Sequence, residues 1–116
     1  VMGRSTWESV PQKLFAKTRT CIVVSSTLKP IHNVQVVQSL QEALYCVPND
    51  VSCFLIGGKQ LITHGIQDGL VQDAYVTTVF GNYECDVYFH IEKLLRNRFS
   101  PHPYETYSDC TVTHWC

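Results

Sequence analysis

The sequence predicts an α/β protein, with a mostly parallel sheet flanked by helices on both faces and an antiparallel edge near the C-terminus. Short apolar runs rich in β-branched residues alternate with segments whose apolar residues recur at helical spacing. Glycines and hydroxyl residues follow directly where several of these runs end. With 116 residues the chain can bury the core of one such domain but not of two ordinary ones. We therefore expect a single domain over residues 1–116.

The strands are predicted from the apolar runs. Val1-Met2 has the character of the end of a first strand, and a short strand is expected from Asp86 to Phe89. The tail from Pro101 alternates weakly, as one or two antiparallel edge strands would. The other predicted strands are apolar and mostly β-branched: Cys21 to Val24, Val34 to Val37, Val51 to Ile56, and Ala74 to Val79.

The helices are predicted from caps and from spacing. After a turn at Gly3, Ser5 or Thr6 can cap a first helix whose Trp7 and Val10 face inward. An S-x-x-E capping box opens a second helix, and a glycine pair precedes a third. These further segments are Ser39 to Val47, Lys59 to about Gln67, and a helical turn from His90 to Asn97.

The composition excludes several classes of protein. The formal net charge is -1, so no basic field favours nucleic acid as a partner. No run approaches the roughly 18 consecutive apolar residues of a membrane helix, and no signal peptide is recognisable. We expect a cytoplasmic protein that binds neither nucleic acid nor membrane. Its cysteines lack a metal or disulfide spacing, so we expect reduced thiols, with Cys21 and Cys53 buried in their apolar runs, and we assign no metal.

The first residues indicate that an element is incomplete. Val1 is not an initiating residue, and Val1-Met2 resembles the last piece of a longer strand. A sheet that lacks a central strand exposes unpaired backbone and apolar surface. We therefore expect an N-terminally incomplete domain, whose sheet is completed by an N-terminal segment or by another chain.

Three junctions are predicted to share one edge of the sheet. Gly3 to Thr6 follows the first strand, Ser25-Ser26 follows the second, and Gly57-Gly58 follows the run ending at Ile56. Ligands of open α/β sheets gather at the carboxyl ends of the strands, and helix N-termini there suit phosphates. The alternative for each junction is structural: a capped helix with a solvated arginine, a strand-ending turn, or a tight glycine turn.

Five segments, read in order, resemble the dihydrofolate reductase family: VMGRSTWES, R-x-x-I-V-V-S-S, F-L-I-G-G-K, A-Y-V-T and C-D-V-Y-F. The resemblance covers Val1 to about Phe89, and the tail after it matches poorly. It implies a dihydrofolate reductase-like sheet. It also implies NADPH as cofactor, held through its phosphates and nicotinamide. The residues that match the cofactor contacts are Gly3, Arg4, Ser5, Thr6, Ser25, Ser26, Gly57, Gly58, Lys59 and Gln60.

The resemblance also implies a folate site. Arg19 matches the arginine that clamps the glutamate carboxylate of folate, and a bidentate pair would suit that task. The other substrate contacts it implies are Val10, Leu14, Phe15, Ile56 and Thr77. The family's acidic residue lies on a helix before the segment where this chain begins. No catalytic residue is therefore assigned, and Glu8, Asp50, Glu84 and Asp86 do not occupy its position.

The implied function is the NADPH-dependent reduction of 7,8-dihydrofolate to tetrahydrofolate by hydride transfer to the pterin ring, with antifolate-type compounds as further ligands. The first strand and the mobile loop of the family are not in this sequence, so we expect little activity from it alone. Ile62 stands where the family commonly has tyrosine, and Cys85 where a glycine often precedes the residue matched by Asp86. One alternative is a non-catalytic reductase-like scaffold or subunit of a larger assembly. Another is a pyrimidine reductase of riboflavin biosynthesis, which would not need Arg19.

Overall fold

The structure is a computed structural model that describes residues 1–11, 19–85 and 88–116. These residues form two compact units, Val1–Ile62 and Thr63–Cys116, and each is described by itself. The expected single domain over residues 1–116 stays a prediction. Leu14 and Phe15 lie outside the described residues, as does Asp86, so the strand expected from Asp86 to Phe89 is only partly described; Tyr88 and Phe89 are not in a strand.

The first unit contains a parallel sheet. Its strands are β1 (Met2–Gly3), β2 (Cys21–Val24) and β3 (Val34–Val37), in that spatial order. In the register Met2 lies opposite Val23, which is fully buried. Strands of this kind are apolar on both faces because both faces are covered. The strands predicted at Cys21 to Val24 and Val34 to Val37 are confirmed.

Helices cover both faces of this sheet. On one face Trp7, from α1 (Arg4–Ser9), packs in a buried cluster with Val23 of β2. On the other face Ala43, from α2 (Leu40–Tyr45), packs with Ile22 of β2. Adjacent residues of a strand point to opposite faces, so Val23 and Ile22 each bring one helix against the sheet. The predicted α/β architecture is confirmed here.

The start of α2 follows the predicted capping box closely. The Ser39 hydroxyl accepts a hydrogen bond from the Glu42 N–H at 3.1 Å. The Glu42 carboxylate reaches back and accepts from the N–H of Gln38 at 3.0 Å, one residue before the cap. Two backbone donors at the helix start are therefore paired, as the S-x-x-E motif predicts.

The start of α1 differs from the prediction. The cap is Gly3, in extended backbone, and no side chain caps this helix; Ser5 and Thr6 lie inside it. The prediction of Ser5 or Thr6 as cap is wrong because the chain turns directly from β1 into the helix. The inward positions of Trp7 and Val10 are confirmed, since both belong to the same apolar cluster.

The strand predicted from Val51 to Ile56 is not a regular strand. Its last residues run beside β1 through backbone hydrogen bonds. The N–H of Val1 donates to the Phe54 carbonyl at 2.8 Å, and the N–H of Ile56 donates to the Val1 carbonyl at 3.1 Å. The two residues of β1 give this segment too little chain to pair with. The prediction of a regular strand is therefore wrong, although the segment's place beside β1 agrees with a strand-like role.

The second unit contains an antiparallel sheet. Its strands are β4 (Ala74–Val79), β5 (Pro101–Thr106) and β6 (Cys110–Trp115), in the order β4-β6-β5. The predicted strand at Ala74 and the antiparallel C-terminal tail are confirmed. The tail was expected to lie only at an edge, but β6 is central because β4 and β5 both pair with it. Helix α4 (Ile91–Leu95) falls in the predicted helical turn.

Helix α3 (Lys59–Gln67) has the predicted bounds, and its C-terminal end is closed by a Schellman motif. The N–H of Gly69, in left-handed backbone with φ +70°, donates to the Ile66 carbonyl at 3.1 Å. The next N–H, of Leu70, donates to the Gly65 carbonyl at 2.9 Å. Arg98 adds Nη bonds to the carbonyls of Ile66 and Gln67. The helix end is thus satisfied by backbone and by a cation.

The cysteines are free thiols. Cys21 is buried in β2 as predicted, with 3% of its surface exposed. Cys53 is exposed, so the prediction of its burial is wrong: it lies before the first hydrogen bond that ties its segment to β1. Within the described ranges, no helix has the length and apolar character needed to cross a membrane.

Candidate functional site

The loops after β1 and after Ile56 meet through their backbones. The N–H of Gly3 donates to the carbonyl oxygen of Gly57 at 2.8 Å. The Thr6 hydroxyl also lies close to Gly57: a Cβ built there would lie 2.7 Å from Thr6 Oγ1. These contacts confirm that the two junctions predicted from the sequence lie together at the end of β1.

Gly57 is the residue that this close approach requires. It is buried and has φ +153°, a conformation that side chains other than glycine's hydrogen rarely allow. The following peptide, Gly57-Gly58, is cis. Gly58 is less confined, since a Cβ there would reach Thr6 Oγ1 only at 3.8 Å. Because neither residue has a side chain, the backbone at Gly57-Gly58 can lie close to α1.

Arg4 links α1 to the residue that follows the second junction. Its Nε donates to Glu8 Oε1 at 2.8 Å, one turn along the helix. Its Nη1 donates to Thr27 Oγ1, also at 2.8 Å. The planar guanidinium is thus held by two partners, one on α1 and one after β2. An exposed arginine fork of this kind suits a phosphate, which it can bind with paired N–H donors.

Ser25 and Ser26 take different positions at the end of β2. The Ser25 hydroxyl accepts from the N–H of Leu28 at 3.0 Å and of Thr27 at 3.2 Å. Its own N–H donates to the Val37 carbonyl of β3 at 2.8 Å. Ser25 therefore closes the turn, which agrees with the structural alternative for this residue. Ser26 is exposed, and for both serines the cofactor contact stays a prediction.

The remaining residues that are predicted to contact the cofactor lie at the starts of two helices. Ser5 is exposed on α1, and Lys59 and Gln60 are exposed at the first positions of α3. Helix α1 has six residues, too few for a strong dipole. The chemistry of this site therefore depends on side chains such as Arg4 and on the approach of the backbone at Gly57, and less on a helix N-terminus.

The predicted substrate residues are spread along the chain. Val10 is half-buried against the cluster that contains Trp7. Arg19 is exposed just before β2, and Ile56 is 44% exposed in the segment beside β1. Thr77 is exposed on β4, opposite Val112, and belongs to the second unit. None of their substrate roles is tested by these positions, and each stays a prediction.

Two contacts of this site were not predicted from the sequence. Thr27 continues the hydroxyl run Ser25-Ser26, and that run could have indicated it. Glu8 lies four residues after Arg4, the spacing at which charges pair on a helix. Among the described residues, no group of histidine, cysteine and carboxylate side chains has the arrangement of a metal site.

Comparisons with known proteins point to one family. The family model described as dihydrofolate reductase matches residues 1–109. A dihydrofolate reductase from Schistosoma mansoni is 38% identical over 98 residues, which cover 77% of this chain and 53% of that protein. A bifunctional dihydrofolate reductase-thymidylate synthase from Plasmodium chabaudi is 32% identical over 99 residues, which cover 77% of this chain and 17% of that protein.

The fold agrees with the sequence comparison. The solved structure of Schistosoma mansoni dihydrofolate reductase superposes with a TM-score of 0.66 at 28% identity, covering 98% of this chain and 71% of that one. The chain thus spans about half the length of the curated reductase that it matches, at 53%. Because the family model covers nearly all of its residues, this chain belongs to the dihydrofolate reductase family.

Proposed function

We propose that this chain is part of a reductase that converts 7,8-dihydrofolate to tetrahydrofolate with NADPH. The observation that carries the proposal is the hydrogen bond between Gly3 and Gly57, 2.8 Å long, which joins the Gly57 loop to the junction where Arg4 opens α1. The phosphates of a dinucleotide bind to cationic side chains and to glycine-rich loops whose backbone can approach them closely. Membership of the dihydrofolate reductase family gives the cofactor and substrate their identity in this proposal.

The residues present fit a phosphate-bearing cofactor. A Cβ at Gly57 would collide with the Thr6 side chain, so α1 can lie against this loop only because that residue is glycine. Arg4 and Ser26 are exposed beside or after the same strand ends, where they can donate to phosphate oxygens. Bound NADPH would supply the hydride, and the protein would orient it.

The proposed folate contacts are made by Arg19, Val10 and Ile56 in the first unit. Arg19 is exposed and carries the charge that a folate carboxylate would pair with. Val10 and Ile56 offer apolar surface to the ring systems. We propose Thr77, Leu14 and Phe15 as further contacts, from the resemblance alone. No proton donor for the reaction is assigned within this chain.

The contribution of these residues is positioning. Two bound rings react only when they are held at the right distance and orientation, and orientation supplies much of the rate in such reactions. Apolar residues such as Val10 would also exclude water from the contact between the rings. In the proposed reductase, an N-terminal segment or another chain would complete the sheet and the site.

Separate calorimetric titrations of this chain with NADPH and with a folate analogue test the proposal. We expect NADPH to bind, and Arg4→Ala to weaken that binding by about tenfold or more, as loss of a charge-assisted pair would. Arg96→Ala is the matched control, since Arg96 lies in the second unit beside Trp115. Binding of neither ligand by the parent chain would favour a non-catalytic scaffold and contradict the proposal.

A further inference from the structure

We infer that Glu8 and Thr27 are positioning residues that hold the Arg4 guanidinium ready for a cofactor phosphate. This inference rests on the proposed function, because it assumes that Arg4 meets NADPH. Neither residue is among the contacts that the resemblance implies. Both contact the same side chain in the structure, and they do so through different nitrogens.

The two contacts come from different elements. Glu8 lies on α1, one turn after Arg4, and its Oε1 is 2.8 Å from Arg4 Nε. Thr27 follows β2, and its Oγ1 is 2.8 Å from Arg4 Nη1. A single partner leaves a long side chain free to rotate about the shared bond. Two partners on separate elements fix the plane of the guanidinium, which sets the direction in which its other N–H groups point.

Thr27 is itself held in place. Its N–H donates to Ser25 Oγ at 3.2 Å, and its hydroxyl lies 3.4 Å from the same oxygen. Ser25 in turn is tied to β3 through Val37. Thr27, the second partner of Arg4, is therefore connected to the sheet through Ser25. The Arg4 side chain thus binds to a residue whose own position is fixed.

Pre-ordering of this kind favours binding. Arginine has several rotatable bonds, and a ligand that must fix them loses affinity through the entropy of ordering. Contacts that fix the side chain before the ligand arrives remove part of this cost. Glu8 also has an opposing effect, since its negative charge repels a phosphate. Exposure of the Arg4 and Glu8 side chains, at 46% and 54%, keeps both effects modest.

Two variants at Glu8 separate these effects. Glu8→Gln and Glu8→Ala both remove the negative charge, but only glutamine keeps an oxygen that can accept from Arg4 Nε. The ratio of their NADPH dissociation constants therefore isolates positioning from repulsion. We expect Glu8→Ala to bind NADPH about two- to fivefold more weakly than Glu8→Gln in calorimetry at physiological salt. At Thr27 we expect valine to weaken binding by a similar factor and serine to restore it.

The Arg4→Ala background shows whether Glu8 acts through Arg4. In that background the difference between glutamine and alanine at position 8 should disappear, as a double-mutant cycle requires. Asp68→Ala removes a carboxylate from another exposed pair at this spacing, with His64, and should leave the dissociation constant unchanged. The contact can also be tested without ligand, from the NMR signal of the Arg4 Nε–H proton. This proton should be protected from exchange with water in Glu8→Gln, and its signal should be lost in Glu8→Ala.

The outcomes separate this inference from the function beneath it. If the parent chain does not bind NADPH, the proposed function and the inference fail together. If it binds, but Glu8→Gln and Glu8→Ala have equal dissociation constants, the inference alone is overturned. A difference that persists without Arg4 also overturns it, because Glu8 would then act by another route.

Discussion

The N–H of Gly3 and the carbonyl oxygen of Gly57 are joined by a hydrogen bond of 2.8 Å. This bond closes the end of β1 against the segment that runs beside it. The Thr6 side chain also lies close to Gly57, so that a backbone and a side chain both contact this glycine. Because Gly57 is so closely enclosed, an added side-chain atom at this position should disturb the candidate site.

Gly57→Ala should destabilise the chain. The added Cβ would lie 2.7 Å from Thr6 Oγ1, and the backbone has φ +153°, so both sterics and conformation oppose it. We expect the free energy of unfolding to fall by about 1–3 kcal/mol, as for other residues forced into sparsely populated backbone. Urea denaturation followed by circular dichroism measures this change. NADPH affinity should fall in the fraction that remains folded.

Gly3→Ala is the control for that prediction. Gly3 has φ −78°, and a Cβ there would find its nearest atoms at 3.6 and 3.8 Å, ordinary contact distances. We expect a net loss of only a few tenths of a kcal/mol, because the poorer helix cap is offset by the lower conformational entropy of alanine in the unfolded chain. Equal losses for the two variants would show that the enclosure of Gly57 is unimportant.

Gly69→Ala should weaken the end of α3. Gly69 occupies the left-handed position of the Schellman motif at φ +70°, where a Cβ costs about 1–2 kcal/mol. The Cβ would also lie 2.8 Å from Arg98 Nη1, a flexible side-chain end that can move aside. The expected result is therefore a loss near that backbone cost, read from the shift of a urea midpoint.

Gly69→Asn is the comparison variant. Asparagine tolerates the left-handed conformation better than alanine does. It should retain more of the stability of the parent chain, although it places a side chain in the same position. If asparagine and alanine were equally harmful, displacement of Arg98 rather than backbone strain would explain the loss.

The helices and strands that the sequence predicted best are those with strong local signals. The Ser39 capping box fixes a helix start through its own backbone and side-chain hydrogen bonds, and α3 begins directly after the glycine pair. The start of α1 was missed because Gly3 replaces a hydroxyl cap there, and glycine at a turn carries no positional signal. The segment from Val51 to Ile56 is predicted as a strand but forms no regular strand, because strand formation depends on the partner and β1 offers only two residues.

Much the same holds for the candidate site. The sequence placed Arg4 and Gly57 at one sheet edge because parallel strands all end at the same side. It could not show that Glu8 and Thr27 hold the arginine, since such contacts depend on rotamers and on the turn after β2. For Ser25, the sequence left open a ligand contact or a turn, and the structure shows its hydroxyl in the turn.

The cysteines should react in an order set by burial and by pKa. Cys21 is 3% exposed and should react with a thiol reagent only when the chain unfolds. The pKa of Cys110 is raised, first by desolvation and then by the nearby Asp109 carboxylate. A raised pKa leaves less of the reactive thiolate at mildly alkaline pH. Exposed thiols such as Cys53 should therefore react first, Cys110 more slowly, and Cys21 last.

Mass spectrometry of chain alkylated for increasing times at pH 8 gives this order. Raising the pH should bring the rate at Cys110 closer to that at Cys53, because the thiolate fraction at Cys110 then increases. Rapid alkylation of Cys21 in the folded chain would contradict its burial in β2. Slow alkylation of Cys53 would contradict its exposure and would favour the burial that the sequence predicts.

Arg19→Ala should weaken the binding of folate and leave the binding of NADPH unchanged. Arg19 is exposed just before β2, and loss of a charge-assisted pair with a folate carboxylate costs about 1.5–3 kcal/mol, or roughly ten- to hundredfold in affinity. Calorimetric titration with a folate analogue measures the loss, and Arg19→Lys should recover only part of it because lysine lacks the planar fork. Parallel titration with NADPH should give an unchanged dissociation constant. An Arg19→Ala chain that binds the analogue as tightly as the parent would show that Arg19 does not clamp the folate carboxylate, and would remove this residue from the proposed site.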